Sequence, residues 1–495
     1  MFGKMTRVSI IMALIVAFIL TLSPTTPSHA STSTNLCRIA PDGPGALPGQ
    51  TLRLNPHPDY NLPADPDWSV NPALDPNWRF RFHALRWLYP AIVAADTDPS
   101  LVGPIFDTVA DWAHDNPFDH PAGDFAWNDM STAGRVLVLV CISERLGEPE
   151  WLTEILNLHG AILSRDDFYV KRSNHALNQN IALGVLGCRA GVKAWTDLAI
   201  RRFNTLAAQS IDAQGLTNEQ SVSYQSLNSR MYADAFDRLG SCGLTPDPEV
   251  VRRHRLMPGV LANLTGPDGC FAMLGDTFRV CGQHPGTRAQ ATYRGGFATA
   301  RDGQTFLTLR FGPAPIIHGH VEGGSFTLDA GGRKLIRDPG ALTYAPGEWR
   351  RYALRPVSSN IVLADGVKWS PKVMKLVAPS HSSARDSWTL WGQPATGVSW
   401  IREVRFYRAT RQLMIADYLS ADHSLTFRQR FHTDVDAAKL GVGGWTIPGC
   451  RVRADGFLRQ RKGWVGEGYG QVRAATVVEQ VKVGARVVLK SVLEW

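Results

Sequence analysis

Apolar residues recur at helical spacing through the first 290 or so residues of the chain. Two such groups are Trp87–Leu88–Ala91–Ile92 and Ile181–Ala182–Val185–Leu186. Spacings of three and four residues place apolar side chains on one face of an α-helix. Breaks rich in Pro, Asp and Gly, such as 115–123 and 245–248, separate these groups. The pattern predicts six or more helices, packed in pairs, in an array that closes on itself.

Short runs typical of β-strands dominate after residue 290. They include 305–311, 324–329, 360–364, 412–418 and 486–492, with Gly, Pro and Asp between them. Strands of this length and spacing predict an antiparallel β-sandwich. Helices followed by strands imply two domains, which we place at residues 31–290 and 291–495. Ligand sites often lie where domains meet, so we expect the functional cleft there.

The first thirty residues have the features of a signal peptide. Lys4 and Arg7 precede an apolar run from Val8 to Leu22, and Ser28-His29-Ala30 forms a small-x-small cleavage site. We therefore predict that residues 1–30 direct secretion and are removed; a retained N-terminal anchor is the alternative. The apolar run is short for a membrane span, and no later stretch of about 18 apolar residues replaces it. No stable membrane insertion is expected after cleavage.

Charge and cysteine content narrow the class of partner. The formal net charge is +8, and loss of Lys4 and Arg7 lowers it by two, to +6. A positive excess favours acidic ligands through electrostatic steering. Nucleic acid is not expected, because no run of five Lys or Arg occurs.

The count of seven cysteines is odd, so at least one stays unpaired if the others pair on export. Cys270 and Cys281 flank a short Gly-containing loop and are the pair we predict; no CxxC zinc motif occurs.

Two clusters in the helical half carry candidate chemistry. Asn174, His175, Asn178 and Asn180 open an apolar helix. They could simply cap the helix and face solvent, or Asn174 and His175 could bind an anion at its N-terminus. The second cluster is Thr217–Gln225, which contains Tyr224. A tyrosine at a helix start usually packs, but beside cations or a sugar carboxylate a lowered pKa would let it take a proton.

A third cluster, His318–Gly340, lies in the strand-rich half. His318 and His320 share one side of a strand because side chains alternate, and Asp338 could return beside them to hold a metal with His320. Arg350, Arg351 and Arg355 follow closely. They could form a solvated face or bind carboxylates in the two-pronged manner of guanidinium groups.

These motifs resemble the heparinase II/III-like family of polysaccharide lyases. The matching elements are His318–Arg333, Asp338-Pro-Gly340, Trp349–Tyr352, Asn360–Gly366, Phe427–His432, the Asn174-His175 pair and Glu219-x-Ser-x-x-Tyr224. The resemblance is strong from about residue 300 to 435 and looser from about 65 to 240. It implies an N-terminal (α/α) toroid, a C-terminal antiparallel β-sandwich, and cleavage of an acidic, uronic-acid-containing polysaccharide by β-elimination.

The resemblance also assigns roles by position. Tyr224 resembles the catalytic acid/base, while Asn174, His175 and His318 resemble the groups that bind and neutralise the uronate carboxylate. Tyr352 is similar to a tyrosine near the substrate in alginate-cleaving relatives. His320 and Asp338 resemble two ligands of a structural zinc. We further expect Arg351 and Glu219 to contact substrate.

The chain departs from the family pattern at three places. The usual His-Ala-Asp is His320-Val-Glu322, the histidine after the toroid tyrosine is Gln225, and the Ala-His-Asn-Thr segment reads Ser358-Ser-Asn-Ile361. Ser359, which takes the place of that histidine, is a poor zinc ligand.

Lyase chemistry suits these residue types on physical grounds. Loss of the proton beside the carboxylate builds charge that amide and imidazolium groups stabilise, and a tyrosine can transfer the protons. Two alternatives stay open. One is a glycoside hydrolase that uses two of Asp129, Glu219 and Glu322. The other is a protein that binds acidic glycans on the same scaffold without cleaving them.

Overall fold

The structure is a computed structural model that describes residues 36–38, 44–313, 317–371, 373–434 and 438–495. The predicted signal peptide, residues 1–30, lies outside this part of the chain. Leu36–Trp495 forms one compact unit. Within the described ranges, no helix is both long and apolar enough to cross a membrane.

Helices occupy the first half of the described chain. Their bounds are α1 Pro76–His83, α2 Tyr89–Ala94, α3 Val102–Asp115, α4 Asp129–Arg145, α5 Glu150–Ser164, α6 Ser173–Ala190, α7 Lys193–Ser210, α8 Val222–Ser241 and α9 Pro248–Asn263. Asn128 caps α4 and Ser221 caps α8, each accepting a hydrogen bond from a backbone N–H of the first turn. Gly191 ends α6 in the left-handed conformation that glycine adopts without steric cost.

Strands dominate from residue 290 onward. Their bounds are β3 Gln290–Tyr293, β4 Phe297–Asp302, β5 Thr305–Arg310, β6 Gly312–Pro313, β7 Phe326–Ala330, β8 Arg333–Ile336, β9 Val362–Ala364, β10 Val373–His381, β11 Arg385–Ala395, β12 Val398–Tyr407, β13 Gln412–Asp434, β14 Lys439–Gly441, β15 Gly444–Ile447, β16 Cys450–Ala454, β17 Phe457–Gly468 and β18 Gln471–Glu494. Two short strands, β1 Thr51–Leu52 and β2 Tyr60–Asn61, pair before the helices. One more helix, α10 Glu348–Ala353, interrupts the strands.

The strands after residue 290 form two antiparallel sheets. The smaller has the order β3-β4-β5-β7-β8, and the larger runs β14-β15-β16-β18-β13-β12-β11-β10-β6, with β17 added on β18 and β9 on β13. Alternate residues of β12, such as Trp400, Arg402 and Val404, are buried, so one face of this strand packs inward. The predicted fold class, a helical toroid followed by an antiparallel β-sandwich, is confirmed.

Three apolar cores explain why the two halves form one unit. Trp78, Trp87 and Trp112 lie in the helical core, and Trp388 and Trp400 lie in the sheet core. A third core contains residues from both halves, from Val222 of α8 and Val260 of α9 to Phe297 and Phe306 of the small sheet. Burial of apolar side chains from both halves in one cluster favours their association.

Three disulfides tie the described chain together. They join Cys37 to Cys141, Cys188 to Cys242 and Cys270 to Cys281, which confirms the predicted pair. Cys450 is the cysteine left over, and it is buried.

Candidate active site

A cavity of about 580 Å³ opens among the helices. The side of α8 that faces it carries Tyr224, Leu227, Met231, Asp234 and Arg238. These residues are spaced by three or four, so they form one stripe along the helix. Helix α6 contributes Asn174, His175, Asn178 and Ile181. Every residue that lines the cavity within the described ranges belongs to the helical half or to the segment before it.

The predicted Asn174-His175 pair lies at the N-terminus of α6 and faces this cavity. Lys171 and Ser173, just before it, have φ angles of +68° and +71°. Such left-handed conformations are strained for side chains other than glycine, and strain of this kind concentrates at functional sites. The Asn174 Oδ1 atom is buried without a hydrogen-bond partner. This oxygen can accept a hydrogen bond from a ligand, whereas an anion at the helix N-terminus would be bound by the Nδ2 group of the same amide.

His175 is oriented by a carboxylate. Its Nδ1 lies 2.7 Å from Oδ2 of Asp129, the first residue of α4. When that nitrogen carries the proton, Nε2 is left unprotonated and able to accept one. The His175 side chain is 40% exposed, so solvent or a ligand can reach it.

Tyr224 lines the same cavity, and a second tyrosine holds its hydroxyl. The Tyr224 and Tyr344 oxygens are 2.9 Å apart, and the Arg350 guanidinium lies over the Tyr344 ring at 5.0 Å. The lowering of the Tyr224 pKa that the sequence suggested is wrong. Burial, reinforced by the charges of Asp276 and Glu219, raises the pKa of Tyr224, so its phenol is protonated.

His318 stacks directly on Tyr224. The ring centroids are 3.4 Å apart and the planes are inclined by 9°. The two rings are in direct contact, so no sugar lies between them. Close packing enforces the contact: a Cβ on Gly275 would lie 2.8 Å from the His318 oxygen, and one on Gly319 would lie 2.5 Å from Gln220 Oε1.

Asp276 gathers the polar groups behind this stack. It accepts from His318 Nδ1 at 3.2 Å, His320 Nε2 at 2.9 Å and Arg350 Nη2 at 3.0 Å. Burial alone would raise the pKa of Asp276, but these hydrogen bonds outweigh it and hold that pKa well below its usual range.

Glu219 supports the site from behind and does not reach the cavity. Its Oε1 accepts from the Asn174 backbone N–H at 2.8 Å and from Asn228 Nδ2 at 3.0 Å, and its Oε2 lies 3.6 Å from His318 Nε2. The residue is 1% exposed, so the expected contact with substrate is wrong. Glu219 instead positions the backbone of Asn174.

Tyr352 and Arg351 are also placed differently from expectation. The Tyr352 hydroxyl lies 3.3 Å from His432 Nε2 and accepts from the Trp464 N–H, so it points into the sheet half. Arg351 is exposed and does not line the cavity. Tyr344 and Arg350 take the places near Tyr224 that we had expected these two residues to take.

Sequence reasoning missed three residues: Asp276, Tyr344 and Arg350 in its observed role. Tyr344 and Asp276 lie in irregular segments between elements, where periodicity carries no information. The available signals were a Gly-Asp pair after Cys270 and a tyrosine six residues beyond Asp338, and both are weak.

The donors at the predicted zinc site do not fit that metal. His320 Nε2 is occupied by Asp276, and Asp338 Oδ2 accepts from Ser325. The third position is Ser359, a hydroxyl, and within the described ranges no three His, Cys, Asp or Glu side chains are grouped to hold a metal ion. Structural zinc needs four strong donors, so we assign no step to it. Zinc binding stays a prediction.

The carboxylates considered for hydrolysis are poorly placed. Asp129 is bound to His175, Glu219 is buried behind Asn174, and Glu322 is buried in the strand-rich half. Asp234 is the one carboxylate residue among the described residues that line the cavity. A glycosidase needs two carboxyl groups flanking the bond, and this cavity does not present them.

Comparison with known proteins gives a family for the strand-rich half. Residues 284–488 match the family described as Heparinase II/III-like, C-terminal. A heparin-sulfate lyase of Pedobacter heparinus is 22% identical over 349 residues. That match covers 60% of this chain and 53% of the relative, so it spans about half the relative's length.

Solved structures extend the likeness to the whole fold. A heparinase III structure has a TM-score of 0.75 at 15% identity and covers 88% of this chain and 80% of its own. A heparan sulfate lyase of Pedobacter heparinus has a TM-score of 0.64 at 17% identity, covering 90% and 81%. A chondroitin AC lyase of Streptomyces coelicolor A3 has a TM-score of 0.60 at 11% identity, covering 95% and 80%. At these identities the likeness shows a shared fold.

Proposed function

We propose that this chain, whose residues 284–488 form a heparinase II/III-like C-terminal domain, is a polysaccharide lyase that cleaves a uronic-acid-containing glycan by β-elimination. One observation carries the proposal: the phenol of Tyr224 and the imidazole of His175 line one cavity together with Asn174, whose Nδ2 group can donate to an anion. Two proton carriers and an anion-binding group are what this reaction requires.

The uronate carboxylate binds at the N-terminus of α6. The helix end and the Nδ2 group of Asn174 both favour a negative group there. During the reaction, charge moves from the α-carbon onto this carboxylate. Groups that hold the developing charge stabilise the transition state more than the ground state.

Two side chains move the protons. His175 Nε2, oriented by Asp129, takes the proton from the α-carbon, and the electrons of that C–H bond form the new carbon–carbon double bond. The bond from the β-carbon to the glycosidic oxygen breaks, and Tyr224 donates its phenolic proton to that oxygen. The raised pKa of Tyr224 keeps the phenol protonated for this step. Proton exchange with solvent then restores both groups.

The substrate class is an acidic glycan of the glycosaminoglycan kind. The relatives described above are named for heparin sulfate, heparan sulfate and chondroitin. The net charge of +8 adds electrostatic attraction to such polyanions. Alginate, another uronate polymer, belongs in the same test panel.

Secretion is part of the proposal. Three disulfides within the described chain support it, because disulfides form and persist in oxidising compartments. Residues 1–30 would supply the signal.

The decisive experiment incubates the purified protein with heparan sulfate, heparin, chondroitin sulfate, hyaluronan and alginate. Formation of an unsaturated uronate end raises ultraviolet absorbance, and mass analysis identifies the product. Tyr224→Phe and His175→Ala should each reduce kcat by about 10²- to 10⁴-fold, the usual contribution of acid–base catalysis. Saturated products would indicate hydrolysis, and tight binding without any product would indicate a glycan-binding protein.

A further inference from the structure

The cavity is much longer than the region around Tyr224. Its stripe on α8 runs from Tyr224 to Arg238, and fourteen residues of α-helix span about 21 Å. The proposed chemistry occupies the Tyr224 end. The Arg238 end therefore lies where a long substrate would place sugars that do not react.

A short segment before the helices reaches this remote end. Arg38 lines the cavity although it precedes α1 by almost forty residues. Cys37 is bonded to Cys141 of α4, and the Glu144 carboxylate accepts from the Leu36 N–H at 3.2 Å and the Cys37 N–H at 2.8 Å. The segment is therefore attached covalently and by hydrogen bonds to α4.

Helix α8 holds the same segment from the other side. Arg238 donates to the carbonyl oxygens of Leu36 at 3.0 Å and Arg38 at 3.1 Å, and its Nε binds Asp234 at 2.7 Å. The Arg238 side chain is only 4% exposed, so it is committed to this structural task. These contacts fix the backbone of Arg38 and do not involve its side chain.

The Arg38 guanidinium is available to an anion. In the described part of the chain, its Nη1 pairs with Asp237 Oδ2 at 2.9 Å, and the two side chains are 39% and 62% exposed. Exposed pairs of this kind contribute little, so a ligand anion can displace Asp237. A second arginine, Arg86, lines the same cavity. Asp234, the carboxylate among the described residues that line it, is bound by Arg238.

We infer that Arg38 is a specificity-determining residue that binds a carboxylate or sulfate group on a remote sugar of the substrate. The inference rests on the proposed function for the identity of the ligand. A guanidinium can bind such groups through two parallel hydrogen bonds. Binding remote parts of the substrate in this way makes long chains better substrates than short ones.

The test compares long and short oligosaccharides of the glycan that the wild-type protein cleaves best. Arg38→Gln should lower kcat/KM for a decasaccharide by roughly tenfold, which is the effect of losing one charged hydrogen-bonded contact. The same substitution should leave kcat/KM unchanged for a short substrate whose cleavage releases a disaccharide. Asp237→Asn removes the competing carboxylate and should keep or raise kcat/KM for the decasaccharide. Arg53→Gln is the matched control and should leave kcat/KM unchanged. Arg53 forms an exposed ion pair with Asp59, as Arg38 does with Asp237, but it does not line the cavity.

The outcomes separate this inference from the proposed function. Equal losses of kcat/KM for long and short substrates, or equal losses in Arg38→Gln and Asp237→Asn, would mean that the Arg38–Asp237 ion pair is merely structural. Either result would overturn the inference about Arg38. If the wild-type protein forms no unsaturated product, the lyase proposal fails. Calorimetry of a heparan sulfate decasaccharide binding to the wild-type protein and to Arg38→Gln then tests Arg38 alone. An affinity that is the same in both proteins, or that is undetectable in the wild-type protein, rejects the role of Arg38.

Discussion

At the scale of single residues, the site brings side chains from the two halves of the molecule into direct contact. Tyr224 comes from α8, while Tyr344 and His318 come from irregular segments of the strand-rich half. Their rings pack around the phenol of Tyr224, and burial raises its pKa against the opposing effect of the hydrogen bond with Tyr344. The sequence identified Tyr224 and His318, but it could not reveal that their rings touch, because stacking depends on the close approach allowed by Gly275 and Gly319.

Replacing Tyr344 tests this pairing. Tyr344→Phe removes the 2.9 Å hydrogen bond to the Tyr224 hydroxyl and keeps the ring. We expect kcat to fall by about tenfold, the effect of one hydrogen bond of about 1.4 kcal/mol, with a smaller change in KM. Tyr407→Phe, at the end of β12 and outside the cavity, should leave kcat unchanged. A Tyr344→Phe protein with wild-type kcat would remove Tyr344 from the proton-transfer machinery.

His83 gives a pH dependence with a defined sign. Burial, helped by the charge of Arg135, lowers the pKa of His83 to about 3 from the usual 6.5. Between these values the unfolded chain binds more protons than the folded one, so the stability contributed by neutral His83 is present above pH 6.5 and is lost as pH falls. From pH 8 to pH 5, wild type should lose about 2 kcal/mol relative to His83→Gln.

Parallel urea denaturation of the two proteins at both pH values measures this difference. A constant gap between them would show that His83 titrates normally in the folded protein.

At the scale of elements, the toroid depends on helices that approach closely at glycines. A Cβ on Gly160 of α5 would lie 2.2 Å from the Trp195 ring of α7, and one on Gly187 of α6 would lie 2.9 Å from the Thr196 backbone nitrogen. The helical pattern was readable from the sequence, since apolar spacing encodes each helix. The approach of one helix to another was not, because it depends on shapes that meet only in three dimensions.

Two glycine substitutions separate packing from helix propensity. Gly160→Ala must displace Trp195, and overpacking of this kind costs about 1–3 kcal/mol. Gly240→Ala, near the end of α8, meets nothing within 4 Å and should be neutral or stabilise by up to about 1 kcal/mol. Thermal unfolding should show a lower Tm for Gly160→Ala and an unchanged or higher Tm for Gly240→Ala. Equal changes would contradict close α5–α7 packing.

At the scale of the whole molecule, the helical and strand-rich halves are joined through the site itself. Ser221, which caps α8, donates to the Asp276 carbonyl at 2.8 Å, and the Asp276 carboxylate accepts from His320 Nε2 of the strand-rich half at 2.9 Å. The sequence predicted two halves and a cleft near their boundary. The observed cavity instead lies among the helices, and the other half supplies groups behind it, since the boundary is filled by the third apolar core.

The disulfides predict a simple count of reactive thiols. The described chain pairs six of its seven cysteines and leaves Cys450, whose pKa is raised by burial to about 12. A thiol reagent should therefore modify no cysteine in the folded protein, one in denaturant and seven after reduction, as read by intact mass. Two or more modified cysteines in unreduced, denatured protein would contradict the pairing.

The position of the cavity has a consequence for how such chains are recognised across genomes. The match to the heparinase II/III-like C-terminal family covers residues 284–488, yet all described residues around the cavity lie between Arg38 and Arg238. A gene could keep the recognisable C-terminal module and lose the phenol, the imidazole and the amide to which we assign the proposed chemistry. Surveys that count enzymes should therefore inspect the toroid for Asn174, His175 and Tyr224 equivalents before crediting a sequence with activity.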